Sequence, residues 1–120
     1  MPDPAGGADG RPAWTLVARL ADLEGRDVIG VEAGGRPLAL YRLGGEVFVT
    51  DDRCPHQGAA LSSGCVVEGY IECPVHHALF DIRTGAADGS VTAVPLTCVP
   101  ARVEHDAIYV DLSGMKETPR

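Results

Sequence analysis

The chain has 120 residues, of which 45% are hydrophobic and 22% charged, enough for one domain with a modest core and too apolar for intrinsic disorder. Ten basic against seventeen acidic side chains leave a net charge of −7, without the basic footprint that nucleic-acid binding requires. No apolar run approaches the roughly 20 residues that span a bilayer, so neither nucleic acid nor membrane is an expected partner.

Residues 1–13 are polar and rich in Gly and Pro, with neither the charged n-region nor the apolar h-region of an export signal. They read as a flexible leader of a cytoplasmic protein. Short apolar runs broken by turn residues then continue to Leu112. Trp14–Leu20, Val28–Glu32, Pro37–Leu43 and Glu46–Asp51 are predicted strands, with Leu38 and Leu40 alternating against Ala39 and Tyr41. Gly34-Gly35 and Gly44-Gly45 fall where tight hairpin turns belong. Ala21–Glu24 carries the one helical hint, a single turn at most. Beyond the middle, Tyr70–Cys73, His77–Ile82, Leu96–Val99, Val103–His105 and Ile108–Leu112 extend the series, with Pro95 and Pro100 marking strand ends or edges. Aromatics are only 5% of residues, so Val, Ile, Leu and Ala must build the core. Strand after strand at about ten-residue spacing predicts an all-β antiparallel sandwich or barrel, followed by a short flexible tail over 114–120.

One local repetition carries chemistry. Cys54-Pro55-His56-Gln57-Gly58-Ala59 is echoed by Cys73-Pro74-Val75-His76-His77-Ala78, and each piece follows a strand-like run. The spacing is Cys54-x-His56, sixteen intervening residues, then Cys73-x-x-His76. In a cytosolic chain of this size, clustered Cys and His point to metal before disulfide. A single zinc ion more often pairs Cys with Cys and His with His. Here each loop is mixed, which suits a binuclear cluster whose two irons take different ligands. Ligation by two Cys and two His is what distinguishes a Rieske 2Fe–2S centre.

On these motifs the sequence resembles the Rieske ferredoxin family over roughly Thr15 to Leu112. The resemblance extends to Gly58, Leu61-Ser62-Ser63-Gly64, Tyr70-Ile71-Glu72-Cys73-Pro74 and Phe80-Asp81-Ile82-Arg83-Thr84-Gly85. It is strongest to the soluble ferredoxins of bacterial aromatic-ring-hydroxylating oxygenases. It implies an antiparallel base spanning 14–113, with a two-loop cluster-binding subdomain inserted at about 51–85. It also implies one 2Fe–2S cluster, with Cys54 and Cys73 on one iron and His56 and His76 on the other, solvent-facing iron. The implied function is electron transfer from a flavin-containing NAD(P)H ferredoxin reductase to a terminal ring-hydroxylating oxygenase. The protein would be a component of that system and no enzyme itself. Gln57, Gly58, His77 and Ala78 would then form the contact surface at the cluster tip.

Respiratory-chain relatives carry a further cysteine in each ligand loop, where this chain has Ala59 and Val75, so their disulfide clamp is absent here. The segment after His76 also offers no hydroxyl until Thr84. With fewer hydrogen bonds to favour the reduced state, the potential should lie at the low end of the Rieske range of about −150 to +300 mV. His77 reads as an exposed rim residue, His105 as part of a surface turn, and Cys65 and Cys98 as small core or strand residues. Three rival readings remain at this level. A terminal oxygenase needs a second domain, for which 120 residues leave no room. The small subunit of an assimilatory nitrite reductase shares the fold. A structural zinc domain would be colourless.

Overall fold

The computed structural model describes residues 14–55, 59–75, 77–89, 91–92 and 94–112. The expected leader and tail, and His56, Gln57, Gly58 and His76, lie outside the described residues. Ten strands occur among the described residues: β1 (Trp14–Arg19), β2 (Val28–Ala33), β3 (Arg36–Leu43), β4 (Glu46–Asp51), β5 (Cys65–Val67), β6 (Tyr70–Glu72), β7 (Leu79–Asp81), β8 (Cys98–Val99), β9 (Ala101–Glu104) and β10 (Ala107–Asp111). Short 3-10 turns occupy Leu20–Leu23 and Leu61–Ser63, and there is no α-helix among these residues. The class is all-β, as the pattern of short runs predicts.

The strands form three antiparallel sheets, ordered β1-β10-β9, β2-β3-β4-β8 and β5-β6-β7. β4 and β8 are neighbours in the second sheet although β5–β7 lie between them in sequence. The small third sheet is therefore an insertion between two paired strands.

The second sheet is the middle layer, and β3 shows why. Successive side chains of a strand point to opposite faces, yet Leu38, Ala39, Leu40 and Tyr41 are all fully buried. Leu38 and Leu40 pack with Leu23, Val49, Ile108 and Val110 against the first sheet. Ala39 and Tyr41 pack on the other side with Leu61, Ile71, Phe80 and Ile82 of the insertion. The molecule thus has two cores separated by one sheet, each leucine contributing about 1.5–3 kcal/mol by its burial.

The β2–β3 hairpin turns through Gly34 and Gly35, both at positive φ (60° and 79°), the pairing that a two-residue turn between right-twisted strands requires. Pro100 interrupts the path from β8 to β9, consistent with its missing N–H. The sequence pattern passes over β5, whose three residues are too few to show alternation. Its hairpin to β6 turns through Glu68 and Gly69, again both at positive φ. His77 belongs to a turn at φ 60° and not to the strand expected from 77, because β7 begins only at Leu79.

Candidate metal centre

The two Cys-Pro pieces become two loops closed in the same way. The backbone N–H of Cys54 donates to the carbonyl of Ala59 at 2.8 Å, and that of Cys73 to the carbonyl of Ala78 at 2.8 Å. Each cysteine thus starts a loop that returns five residues later. The repetition in sequence is a repetition in backbone geometry.

Both cysteines are buried, at 1% and 0% exposure, in the same apolar core with Ala39, Tyr41 and Phe80. Their thiols are free, and the side chains are close enough to interact directly. Burial pushes the Cys73 thiol above its ordinary range; a backbone N–H from Val75 opposes this, and the neighbouring Cys54 reinforces it. Burial works against ionisation of the Cys73 thiol, an opposition that metal coordination overcomes because it stabilises thiolate. The N–H of Val75, aimed at the Cys73 sulfur, is already placed for that thiolate. The residues present fit an iron–sulfur group.

The first loop rises from the end of β4. Tyr41 donates to Thr50 Oγ1 at 2.9 Å, because the Thr50 hydroxyl itself donates to the carbonyl of Asp51 at 2.8 Å. Burial holds the Tyr41 phenol far above its usual titration range, so it stays a donor. The second loop is the tip of the β6–β7 hairpin, whose Glu72 and Leu79 are paired in register. Beyond β7, Asp81 Oδ1 accepts the N–H groups of Arg83 (2.8 Å) and Thr84 (3.3 Å). This accounts for the Phe80-Asp81-Ile82-Arg83-Thr84-Gly85 stretch: Phe80 and Ile82 fill the core that holds the two cysteines while Asp81 builds the turn that follows.

Of the four predicted ligands, the structure brings Cys54 and Cys73 together, and His56 and His76 fall outside the described residues. His77 is exposed and pairs through Nδ1 with Glu72 Oε2 at 3.0 Å, in keeping with a rim position. Ala78 corrects an expectation: it is fully buried in the core beside the two cysteines and cannot be a contact residue. Pro55, Pro74 and Val75 are exposed instead. His105 sits in the β9–β10 turn and is exposed. Cys65 and Cys98 lie on β5 and β8 and are exposed as residues, so they are strand residues without being core residues. Sequence reasoning missed Asp52, which sits two residues before Cys54; its role depends on contacts across the fold.

Cys98 allows a prediction. Burial of its sulfur, and then the Asp81 carboxylate, push its thiol above the ordinary range. A raised pKa means less thiolate at any given pH and slower alkylation. At pH 8, iodoacetamide should label Cys98 several-fold more slowly in the folded protein than in urea, read by peptide mapping. Equal rates in the two states would contradict this.

The comparisons with known proteins agree with this geometry. Residues 13–100 match the family model of the Rieske [2Fe-2S] domain. The ferredoxin component of the naphthalene 1,2-dioxygenase system of Pseudomonas putida is 36% identical over 100 residues, covering 83% of this chain and 96% of the relative. Among solved structures, the ferredoxin of carbazole 1,9a-dioxygenase from Nocardioides aromaticivorans superimposes with a TM-score of 0.77 at 29% identity, covering 82% of this chain and 96% of that one. A ferredoxin seen in complex with the oxygenase of carbazole 1,9a-dioxygenase gives a TM-score of 0.76 at 33% identity, covering 84% and 94%.

Proposed function

Because the chain belongs to the Rieske [2Fe-2S] domain family, we propose that it is the ferredoxin of an aromatic-ring-hydroxylating oxygenase system, with Cys54, His56, Cys73 and His76 holding its 2Fe–2S cluster. It carries single electrons in the cytoplasm from a flavin-containing NAD(P)H reductase to a terminal oxygenase. The observation that carries this reading is the pair of buried, free, mutually facing thiols at the start of two identically closed loops. The relatives named as oxygenase-system ferredoxins favour this partner class over a nitrite reductase.

When bound, such a cluster accepts and releases one electron. The chain's own residues do the rest. Phe80, Ile71 and Leu61 keep water from the cysteine side. Pro55, Pro74 and Val75 are exposed and offer a small, largely apolar rim. Glu72 and His77 supply its polar edge. A small rim suits transient encounters with two partners in turn.

Reconstitution with iron and sulfide, followed by turnover with an NADH-fed flavoprotein reductase and a ring-hydroxylating oxygenase, tests the proposal. Product formation should depend on this protein, and its reduction potential should fall in the lower part of the range of about −150 to +300 mV. A potential near the upper end, or oxygenase turnover that is indifferent to added protein, would overturn the assignment.

A further inference from the structure

The two loops close with the same hydrogen bond, but their bases are built differently. The second is the tip of a regular hairpin, with β6 and β7 paired up to Glu72 and Leu79. Among the described residues the first has a single bridge, Arg53 to Ala60, between its entering and leaving arms, made by the Cys54–Ala59 and Leu61–Asp52 backbone hydrogen bonds. Something else must hold those arms together.

That element is Asp52, a carboxylate only 8% exposed. Its N–H donates to the carbonyl of Pro37 at 3.0 Å, and its carbonyl accepts the N–H of Leu61 at 2.7 Å. Oδ1 accepts the N–H of Ser62 at 2.6 Å, and Oδ2 accepts the Ser62 hydroxyl at 2.8 Å. Asp52 therefore ties the start of the loop both to β3 and to the 3-10 turn at the loop's end. Gly30 of β2 lies against this clamp: a Cβ there would come within 2.7 Å of Ser62 Oγ and 3.2 Å of Asp52 Oδ2. A strand of the base sheet thus backs the clamp closely enough to exclude a side chain.

We propose that Asp52, clamped to Ser62 against Gly30, is a positioning residue that sets how the first loop presents Cys54 to the cluster, standing in for the strand ladder that the second loop has and the first lacks. The inference rests on the ligand assignment above. A carboxylate suits the role because it accepts two hydrogen bonds side by side, and bonds to a charged acceptor are shorter and stronger than neutral ones.

The test uses the full-length, cluster-loaded protein and two readouts: the electron paramagnetic resonance g-values of the reduced cluster, and the rate of bleaching in excess chelator. Asp52→Ala should shift or broaden the g-values and speed bleaching at least about tenfold, equivalent to about 1.4 kcal/mol. Gly30→Ala, which presses on the clamp from outside the loop, should move both readouts in the same direction, as should Ser62→Ala; these two carry the test if Asp52→Ala does not fold. Asp52→Asn should restore both toward wild type, since its oxygen can accept the Ser62 N–H and its amide can donate to Ser62 Oγ. Val110→Ala, in the core on the far side of the middle sheet, should lower the melting temperature and leave both readouts unchanged. The proposal falls if Asp52→Ala retains wild-type g-values and bleaching, if Asp52→Asn behaves like Asp52→Ala, or if Val110→Ala moves the readouts equally. A wild-type protein that takes up no Rieske cluster overturns the ligand assignment along with it, so the two failures are distinguishable.

Discussion

Replacing any one of Cys54, His56, Cys73 or His76 with Ala is expected to abolish the visible spectrum of the cluster, whereas Cys65→Ala and Cys98→Ala should leave it intact. The contrast separates two pairs of cysteines that composition alone treats alike. Cys54 and Cys73 are buried and face one another in a single core. Cys65 and Cys98 are exposed residues on separate strands. Losing the cluster should also weaken the fold around the loops, because metal affinity is folding free energy where the site does not exist in the unfolded chain. Absorbance and chelator-free iron analysis of the purified variants would decide the matter. A wild-type spectrum in any of the first four would refute the assignment, and a colourless wild-type protein containing zinc would replace it.

The second large effect is steric. Gly64→Ala should destabilise the protein by about 3 kcal/mol or more, at or beyond the top of the usual range for overpacking. The backbone at Gly64 is ordinary, with φ −91° and ψ −159°, so conformation is not the obstacle. Space is: a Cβ would fall 2.0 Å from the carbonyl oxygen of Glu72 and 3.3 Å from that of Leu61. Neither can retreat easily. Glu72 is paired with both Cys65 and Leu79 in the small sheet, and it is the residue before Cys73. Gly35→Ala provides the comparison. It meets nothing within 4 Å and suffers only from its positive φ of 79°, a penalty of about 1–2 kcal/mol. Denaturant titration of the loaded proteins should therefore rank Gly64→Ala as the costlier change, and the reverse order would show that the small sheet yields more readily than its ladder implies.

Much of the architecture is legible before any coordinates. The alternation in Leu38-Ala39-Leu40-Tyr41 is local, and so are the Gly-Gly turns, so β3 and its hairpins can be read from neighbours in the chain. Reading fails at β5, whose three residues are too few for any period to emerge and which is defined by its pairing with β6. The strand β7 starts later than His77 for another local reason: an apolar run from Ala78 to Phe80 looks continuous, but the hydrogen bond from Cys73 to Ala78 ends the loop before the strand begins at Leu79.

The same division holds at the site. Residue type and spacing are properties of the chain itself: Cys and His in mixed pairs point to an iron–sulfur cluster more readily than to zinc. Sequence alone therefore determined the all-β class and pointed to the chemistry. Tertiary structure decided which cysteines face each other, that Ala78 lies inside and Val75 outside, and that Asp52 grips Ser62 ten residues on with Gly30 behind both. The physical reason is that exposure and hydrogen-bond partnership are relations between segments far apart in the chain. Asp52 has the composition of a surface residue, and only the folding of β2, β3 and the 3-10 turn around it makes it a buried clamp.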